Sequence, residues 1–580
     1  MHSIEMKWFF ELRNCRGYRY LYIVQKAWTK KGPRNVRQIY IGTASKLYER
    51  LHARPGALSL RTFPFGKNAA FLHAGQETGF LKALEENLPT EGKLAHLAAQ
   101  LIFVQVLGRV ESPQSRRHMG RRWYPSSGLP LYWPVPHAND RAMLAALRLL
   151  FGTDEENKDG EMILTRARVR RIEEQVLRTL LAKGLDLRYL LFDGTNFFTY
   201  HRGVRGKLSK PGRSKDRRYD KRLIGLGLAT AGEIPVLSEV VPGNMGDVDV
   251  FAEAFEALVK RLEHLEVATE KLTIVFDRGV NSTENFDEVL GVMHVIGALD
   301  RPQAKALFEV PLEKFEEVAK DGKKEPILGY PSQWQGFDRD WRALVTYRPA
   351  TAAKEQGDWE EAQAKVLAKI AKLRRKAPRK KEKVVVNELA DAIPRNYRGM
   401  FSYGVETLEV VRKRKTVKRY QPRCEVDAKK ETELRASFGK TAVITDLSEK
   451  DAPDGELVRG WVLRTDIEEE FKWLKDRYVI SMKPVWVWHE AAVPGHAFLV
   501  VMGLMLLRYL LWEAKDLGFT VKELVETLEG IRVGVVSRGG APGAKGTPDV
   551  VVESMTKRQA ELAAKFRLTE MLPVLNEVTA

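Results

Sequence analysis

The order of apolar segments between residues 188 and 299 constrains the fold of this chain more than any other feature of its sequence. Five short runs rich in Leu, Val, Ile and Phe are bounded by turn-forming residues, which is typical of β-strands. Two longer stretches place apolar residues at helical spacing behind acidic or capping residues. The predicted strands are RYLLFDGTNFF (188–198), RLIGLGLAT (222–230), IPVLSEVVP (234–242), KLTIVFDRG (271–279) and HVIGAL (294–299), and the predicted helices are DVDVFAEAFEALVKRLEHL (247–265) and STENFDEVLG (282–291).

Three strands, a helix, a strand, a helix and a strand follow one another in this segment, which is the order of the ribonuclease H-like fold. We therefore predict a multidomain α/β protein built on a ribonuclease H-like core. In that fold the first and fourth strands lie side by side. Asp193 ends the apolar run LLFD of the first strand, and Asp277 ends the run IVFD of the fourth. Both carboxylates are therefore expected at the same edge of the sheet.

The rest of the chain divides by composition around this core. Residues 7–43 alternate aromatic and β-branched residues with basic ones, which predicts a basic β-hairpin or meander that contacts DNA or, alternatively, a β-module without that role. Aromatic strands, a charged helix and a basic block after residue 299 predict an insertion into the core. The predicted regions are an N-terminal basic β-rich region (1–80), a helical DNA-binding or dimerisation region (81–184), the first part of the core (185–300), a mixed, β-rich inserted domain (301–450), the second part of the core (451–515) and a C-terminal helical tail (516–580).

The charge of the chain favours a polyanionic partner. Lys and Arg number 95 against 76 Asp and Glu, a net charge of +19, which indicates nucleic acid before an anionic membrane. The two cysteines, Cys15 and Cys424, are too few for a disulfide framework or a cysteine zinc site. The first residues show no secretion signal, and the apolar stretch 497–512 is shorter than the ~20 residues that span a bilayer and contains Arg508. We expect a cytoplasmic protein in which that stretch is a buried helix.

A helix with three consecutive glutamates supplies a third acidic candidate. In RGWVLRTDIEEEFKWLKDR (459–477), helical geometry of about 100° per residue sets out the faces. Measured from Ile467, Glu468 lies about 100° away, on one shoulder of the apolar face, and is expected to be semi-buried. Glu469 and Glu470 lie about 200° and 300° away and are expected to be bystanders. The residues predicted to form the buried stripe are Leu463, Ile467, Phe471 and Leu474.

Two cations and an aromatic residue fall in line with Glu468 on this helix. Arg464, Lys475 and Trp461 all lie within about 40° of it. Such an arrangement could hold a metal ion next to a phosphate. The alternative is an ion-paired structural helix, because Glu468 and Arg464 have the stabilising four-residue spacing.

The three acids Asp193, Asp277 and Glu468 make a hard-oxygen site if they converge. Mg²⁺ and Mn²⁺ prefer carboxylate and water ligands, and two such ions about 4 Å apart activate the attacking oxygen and stabilise the leaving oxygen of a phosphodiester. Each residue also has a plain structural interpretation. An Asp before Gly is often only a turn residue, so the order of the three acids carries the argument rather than any one of them.

The spacing Trp461, two residues, Arg464, three residues, Glu468, six residues, Lys475 resembles the tyrosine-arginine-glutamate-lysine signature of the DDE transposases of bacterial insertion sequences, in the branch with a β-rich insertion before the catalytic glutamate. The segments FDGTNFF, EVVPGNMGD and VFDRG resemble the regions of the first aspartate, the third strand and the second aspartate. The C-terminal segments GHAFLVVMGLMLLRYL and ETLEGIRVG resemble the closing part of the same group. This chain departs from the signature in having Trp461 where the family has tyrosine, so it lacks the phenol.

The resemblance implies a prokaryotic enzyme that cuts DNA at the terminal inverted repeats of a mobile element and joins the ends to target DNA. It implies that Asp193, Asp277 and Glu468 bind two Mg²⁺ or Mn²⁺ ions and that Arg464, Lys475 and Trp461 contact DNA. A homodimer on paired ends, associated with the nucleoid, is expected, with no membrane partner. An aromatic residue of the insertion would stack on a flipped base, and Trp334 and Trp341 are candidates, although a core position is the simpler explanation for each.

Two alternatives remain open from the sequence. One is a nuclease or resolvase on the same fold that cleaves without strand transfer. The other is a domesticated, catalytically inactive DNA-binding protein, against which the presence of all three acids argues.

Overall fold

A computed structural model describes most of the chain, and it is mixed α/β. The described residues are 8–15, 18–29, 32–43, 58–151, 155–156, 162–163, 166–200, 207–322, 324–376, 380–412, 415–476, 478–483, 485, 492–538 and 549–572. The strands are β1 (Trp8–Cys15), β2 (Tyr18–Thr29), β3 (Gly32–Thr43), β4 (Leu58–Pro64), β5 (Glu155–Glu156), β6 (Met162–Ile163), β7 (Tyr189–Thr199), β8 (Arg222–Ala231), β9 (Ile234–Pro242), β10 (Thr273–Phe276), β11 (His294–Ala298), β12 (Glu316–Lys320), β13 (Pro326–Gly336), β14 (Arg339–Tyr347), β15 (Phe401–Arg412), β16 (Lys415–Val426), β17 (Lys440–Thr445), β18 (Arg532–Arg538) and β19 (Asp549–Val552). The α-helices are α1 (Gly66–Glu77), α2 (Phe80–Asn87), α3 (Gly92–Glu111), α4 (Arg116–His118), α5 (Tyr124–Ser126), α6 (Leu129–Tyr132), α7 (Asp140–Leu150), α8 (Ala167–Ala182), α9 (Asp247–His264), α10 (Thr283–Leu290), α11 (Lys305–Phe308), α12 (Pro349–Lys376), α13 (Glu382–Ala392), α14 (Ala428–Ala436), α15 (Asp454–Trp473), α16 (Val493–Glu513), α17 (Val521–Glu529) and α18 (Lys557–Lys565).

The chain divides into two compact units. The first unit comprises Met1–Glu77, Gln100–Leu144 and Tyr509–Ala580, and the second comprises Thr78–Ala99 and Ala145–Arg508. Residues 81–184, which the sequence analysis treats as one helical region, are therefore shared between the two units.

The first unit contains two small antiparallel sheets. Strands β1, β2 and β3 form the basic meander expected from the alternating N-terminal sequence. The second sheet has the order β19-β18-β4, so the tail 516–580 is not purely helical as expected. Its strand β18 depends on pairing with β4, which lies more than 450 residues earlier in the chain. Gly66 is required where these segments meet, because a Cβ there would lie 2.5 Å from the carbonyl oxygen of Leu528.

The second unit is built on a nine-stranded mixed sheet with the order β12-β13-β14-β17-β11-β10-β7-β8-β9. Strands β7, β10 and β11 run parallel to one another, whereas β8 is antiparallel to both β7 and β9. The predicted order of three strands, a helix, a strand, a helix and a strand is present, with helices α9 and α10 in the expected places. The strands are nearly continuous apolar runs because β8, β10 and β11 are buried on both faces.

Aromatic rings dominate the core of the second unit. Phe251 of α9 packs against Phe192 of β7 and Phe276 of β10, with ring centroids 5.0 Å and 4.9 Å apart. Phe286 of α10 continues the cluster to Trp341 of β14, at 4.6 Å. All five side chains are at most 2% exposed. Edge and tilted contacts of this kind add about 0.5–1.5 kcal/mol per pair beyond the burial of apolar area.

The segment 301–450, expected to be one inserted domain, divides into two parts. Strands β12, β13, β14 and β17 extend the central sheet, because β17 pairs with both β14 and β11. Helices α12, α13 and α14 and the hairpin β15–β16 form the other part, and they have their own apolar core around Trp359, Val366 and Leu389. The part with its own core is therefore smaller than the predicted inserted domain 301–450.

Two helices of the described residues, α3 and α16, are long and apolar enough to cross a membrane by length and composition alone. In these helices 72% and 89% of the apolar window is buried inside the protein. Helix α16 contains the stretch 497–512, and its burial agrees with the expectation of a buried helix.

Candidate functional site

Asp193 and Asp277 lie level with each other on neighbouring strands. Strand β7 pairs in parallel with β10 up to Phe192 and Phe276, and each aspartate is the next residue of its chain segment. Asp277 follows the end of β10, as expected. Asp193 lies inside β7 rather than at an end, because β7 stays paired with β8 as far as Thr199. The expected convergence of the two aspartates therefore rests on parallel register and not on two strand ends.

The surroundings of Asp193 are negatively charged and partly dry. Burial raises the pKa of Asp193 to about 6, and the carboxylates of Asp277 and Asp247 act in the same direction. The ammonium group of Lys215 and the backbone N–H of Gly194, which donates to Asp193 Oδ1 at 2.7 Å, act in the opposite direction. A cation placed between these carboxylates would relieve their repulsion.

Asp247, the first residue of α9, is a fourth acidic residue at this site that the sequence analysis missed. Its carboxylate lies close to the backbone near each of the two aspartates, at Gly194 and at Gly279. A Cβ at Gly194 would be 3.7 Å from Asp247 Oδ1, and a Cβ at Gly279 would be 3.4 Å from Asp247 Oδ2. Lys215 Nζ lies 4.0 Å from the same carboxylate. The available signal was an Asp at a helix start that directly follows the third strand.

Arg464 brings Asp277 and Glu468 together. Its Nη1 lies 2.6 Å from Glu468 Oε1 and 3.8 Å from Asp277 Oδ1. Its guanidinium also lies over the ring of Trp461, with Cζ 4.8 Å from the ring centroid. The predicted grouping of Trp461, Arg464 and Glu468 is therefore present. The expectation of a semi-buried Glu468 is wrong, since its side chain is 48% exposed.

The position of Glu468 and Arg464 depends on the close packing of α15 against the central sheet. Gly460 faces the central strands, and a Cβ there would lie 2.8 Å from atoms of both Ile296 and Tyr189. The hydroxyl of Tyr189 donates to Glu456 Oε1 at 3.2 Å. A larger residue at position 460 would push the helix, and with it Glu468, away from the two aspartates.

Lys475 and Glu468 have different contacts in the structure. Helix α15 ends at Trp473, so Lys475 lies beyond the regular helix and no longer follows its angular spacing. Its Nζ donates to Thr195 Oγ1 at 3.2 Å and lies 3.7 Å from Asp216 Oδ1. Thr195 is two residues after Asp193 on β7, so Lys475 still contacts the strand that carries the first aspartate.

Glu470 is not a bystander, contrary to expectation. It is fully buried, and its carboxylate pairs with the buried guanidinium of Arg508, with Arg508 Nε donating to Glu470 Oε2 at 3.0 Å. At about 300° from Ile467 it lies only about 60° from the centre of the apolar stripe. Of the residues predicted for that stripe, Ile467, Phe471 and Leu474 are buried, and Leu463 is intermediate.

The tryptophans considered for base stacking are part of the central sheet. Trp341 is 2% exposed and lies in the aromatic core. Trp334 is its cross-strand partner in the hairpin β13–β14, and its indole N–H donates to the carbonyl of Gln303 at 3.2 Å. Both positions agree with the core interpretation.

The acidic residues are not grouped in a preformed metal site. Among the residues that the structure describes, no group of three His, Cys, Asp or Glu side chains is arranged to hold a metal ion. Carboxylates are nevertheless the ligands that a hard divalent cation prefers. Asp277 and Asp247 both oppose the ionisation of Asp193, and Arg464 joins Glu468 to Asp277. Neither a family model nor a curated protein matches the chain.

Proposed function

We propose that this chain is a metal-dependent DDE transposase that cuts the terminal inverted repeats of an insertion sequence and joins them to target DNA. The observation that carries the proposal is the level placement of Asp193 and Asp277 on adjacent parallel strands, with Arg464 linking Asp277 to Glu468. Acidic residues from two strands and one helix are the set expected for two-metal phosphodiester chemistry.

The topology of the central sheet supports a ribonuclease H-like core. Strands β9, β8, β7, β10 and β11 are consecutive in the sheet, so the order is third, second, first, fourth and fifth. The first, fourth and fifth are parallel, and the second is antiparallel to them, as expected for that fold. Helix α15 then returns after the insertion to pack beside β7 and β11.

The proposed reaction has two phosphoryl-transfer steps. In the first, a water oxygen bonds to phosphorus, the bond to the 3′ oxygen breaks, and a proton passes from the water to that oxygen. In the second, the oxygen of the freed 3′-hydroxyl bonds to a phosphorus of target DNA, the bond from that phosphorus to the target's 3′ oxygen breaks, and the hydroxyl proton passes to this leaving oxygen. Two Mg²⁺ or Mn²⁺ ions, when bound, would polarise the attacking and leaving oxygens.

The residues of this chain have distinct parts in the proposal. Asp193, Asp277 and Glu468 would hold the cations. Arg464 is 19% exposed and donates to Glu468 through Nη1. A guanidinium carries five N–H donors, so it retains donor capacity for a phosphate oxygen. Trp461 supports its guanidinium from below. Double-stranded DNA is the partner, and we propose a homodimer on paired ends in a prokaryotic cytoplasm.

The test is cleavage of a labelled duplex that carries the terminal sequence flanking the gene, with Mg²⁺, Mn²⁺ or EDTA. Wild-type protein is compared with Glu468→Gln and with the matched variant Glu469→Gln, one position along the same helix. We expect metal-dependent cutting that Glu468→Gln abolishes and Glu469→Gln retains, while all three proteins bind DNA.

Three results would contradict parts of the proposal. Normal cutting by Glu468→Gln would show that the site is wrong. Cutting without joining to a target duplex would favour a nuclease on the same fold. Binding without cutting under every metal would favour a domesticated DNA-binding protein.

A further inference from the structure

A second charged cluster lies beside β7, where Lys475 contacts Thr195. The carboxylate of Asp216 contacts two ammonium groups at once. Its Oδ1 lies 3.7 Å from Lys475 Nζ, and its Oδ2 forms an ion pair with Lys483 Nζ. The cluster is mostly buried but remains accessible to solvent. The exposed fractions of the side chains are 25% for Lys475, 18% for Lys483 and 20% for Asp216.

A third ammonium group adds to the positive charge. Lys215, the residue before Asp216, donates from Nζ to the carbonyl oxygen of Gly194. Burial lowers the pKa of Lys475, and Lys483 and Lys215 act in the same direction, whereas Asp216 opposes them. Lys215 is 41% exposed and lies 4.0 Å from Asp247. Only Lys475 and Lys483 share the carboxylate of Asp216, so these two lysines keep one positive charge in excess. Such a cluster is suited to an anion that brings more negative charge than one carboxylate.

Aromatic rings hold further cations beside this cluster. Lys475 Nζ lies 5.6 Å from the ring centroid of Phe197. Lys483 Nζ and Arg218 Cζ lie 5.0 Å and 4.9 Å from the ring centroid of Phe198. Cation–π contacts of this length fix the positions of charges without neutralising them. Arg218 is paired with Asp220 by two hydrogen bonds, of 2.8 Å and 2.9 Å, so the excess positive charge beside β7 comes from Lys475 and Lys483.

We propose that Lys475 and Lys483 bind a DNA backbone phosphate and that Asp216 is an internal counter-ion which this phosphate displaces. The inference rests on the proposed function, because it takes DNA as the partner. Asp216 keeps the lysines in place in the free protein. Its carboxylate competes with DNA for them until a phosphate displaces it.

The position of the cluster relates it to the cleavage site. Lys475 is held by Thr195, which is two residues from Asp193 on the same face of β7. At about 3.3 Å per residue, the two positions are roughly 6.6 Å apart along the strand. The bound phosphate would thus belong to the same DNA end as the phosphodiester that is cut.

The experiment measures binding without chemistry. Fluorescence anisotropy of a labelled duplex of mixed sequence is recorded in EDTA over a range of KCl concentrations. The proteins are wild type, Asp216→Asn, Lys483→Ala, Lys483→Arg and, as a charge-matched control, Lys260→Ala. Lys260 lies on α9, is exposed and is paired with Glu256, and no part is assigned to it in the proposed reaction.

Asp216→Asn should bind the duplex at least about threefold more tightly than wild type, because the competing carboxylate is gone. Lys483→Ala should lower the slope of log K against log salt by about 0.9, the value for one lost phosphate contact. Lys483→Arg should restore that slope, because arginine keeps the positive charge. A restored slope would show that Lys483→Ala acts through the lost charge and not through misfolding. Lys260→Ala should match wild type.

The failures of the two proposals are distinguishable. Unchanged affinity in Asp216→Asn, or equal slopes for Lys483→Ala and Lys260→Ala, would overturn the phosphate site while wild-type binding and cutting left the proposed function standing. No binding of wild type at any salt concentration would overturn both.

Discussion

Replacing Glu470 with alanine should destabilise the second unit, although Glu468 and Glu469 tolerate the same change. Glu470 is fully buried and forms a bidentate ion pair with Arg508, whose side chain is 3% exposed. The alanine variant would leave a buried guanidinium without its main partner. Glu233 would remain, 3.0 Å from Arg508 Nη1, but its side chain is 47% exposed.

The size of the effect follows from this contact. Removing one partner of a buried ion pair costs about 3–5 kcal/mol, and the remaining contact with Glu233 places the expected loss near the lower end, about 3 kcal/mol. Unfolding entropy of about 2.1 cal/mol/K per residue gives a unit of this size roughly 0.8 kcal/mol/K. The melting temperature should therefore fall by about 4 °C.

Differential scanning calorimetry of wild type, Glu470→Ala and Glu469→Ala would measure this difference. Glu469 is the matched control because it precedes Glu470 on the same helix and is not fully buried. Equal melting temperatures for the two variants would refute the reasoning, since they would show that the contact with Arg508 does not support the fold.

Two further predictions concern the candidate site. At pH 7 Asp193→Asn should stabilise the protein by up to about 3 kcal/mol, because a folded pKa of about 6 against an ordinary 3.8 makes the ionised form costly above pH 6. The gain should shrink as the pH falls through 6, and Mg²⁺ should raise the melting temperature of wild type only; a less stable variant at pH 7 would contradict this. Arg464→Ala should lower stability by about 0.5 kcal/mol, as expected for an ion pair at four-residue spacing in which Glu468 is 48% exposed, yet lower the cleavage rate at least tenfold. Arg464→Lys should recover only part of that rate, and a full recovery would argue against a forked contact with phosphate.

The strand order of the second unit was readable from the sequence because its central strands are buried on both faces. Burial on both faces produces continuous apolar runs, and their ends agree with the predicted ends within a few residues. The position of Asp277 after β10 followed from the same pattern. The insertion did not, because strands β13 and β14 have exposed outer parts and read like an independent β-domain.

Two acidic residues, Glu470 and Asp247, make contacts that the sequence pattern did not predict. Angular spacing placed Glu470 close to the apolar stripe, but its partner Arg508 lies 38 residues away on another helix. Asp247 lies close to Gly194 and Gly279, which belong to other parts of the chain. Contacts of this kind depend on how elements pack, so periodicity along one element does not predict them.

The pairing of β4 with β18 has a consequence for how the protein is made. Strand β4 is synthesised more than 450 residues before its hydrogen-bonding partner at residues 532–538. While those residues are being made, the edge of β4 is open to other strands, including those of neighbouring nascent chains. This sheet forms only after β18 has been synthesised, so a chain that stops before β18 keeps an exposed, aggregation-prone edge.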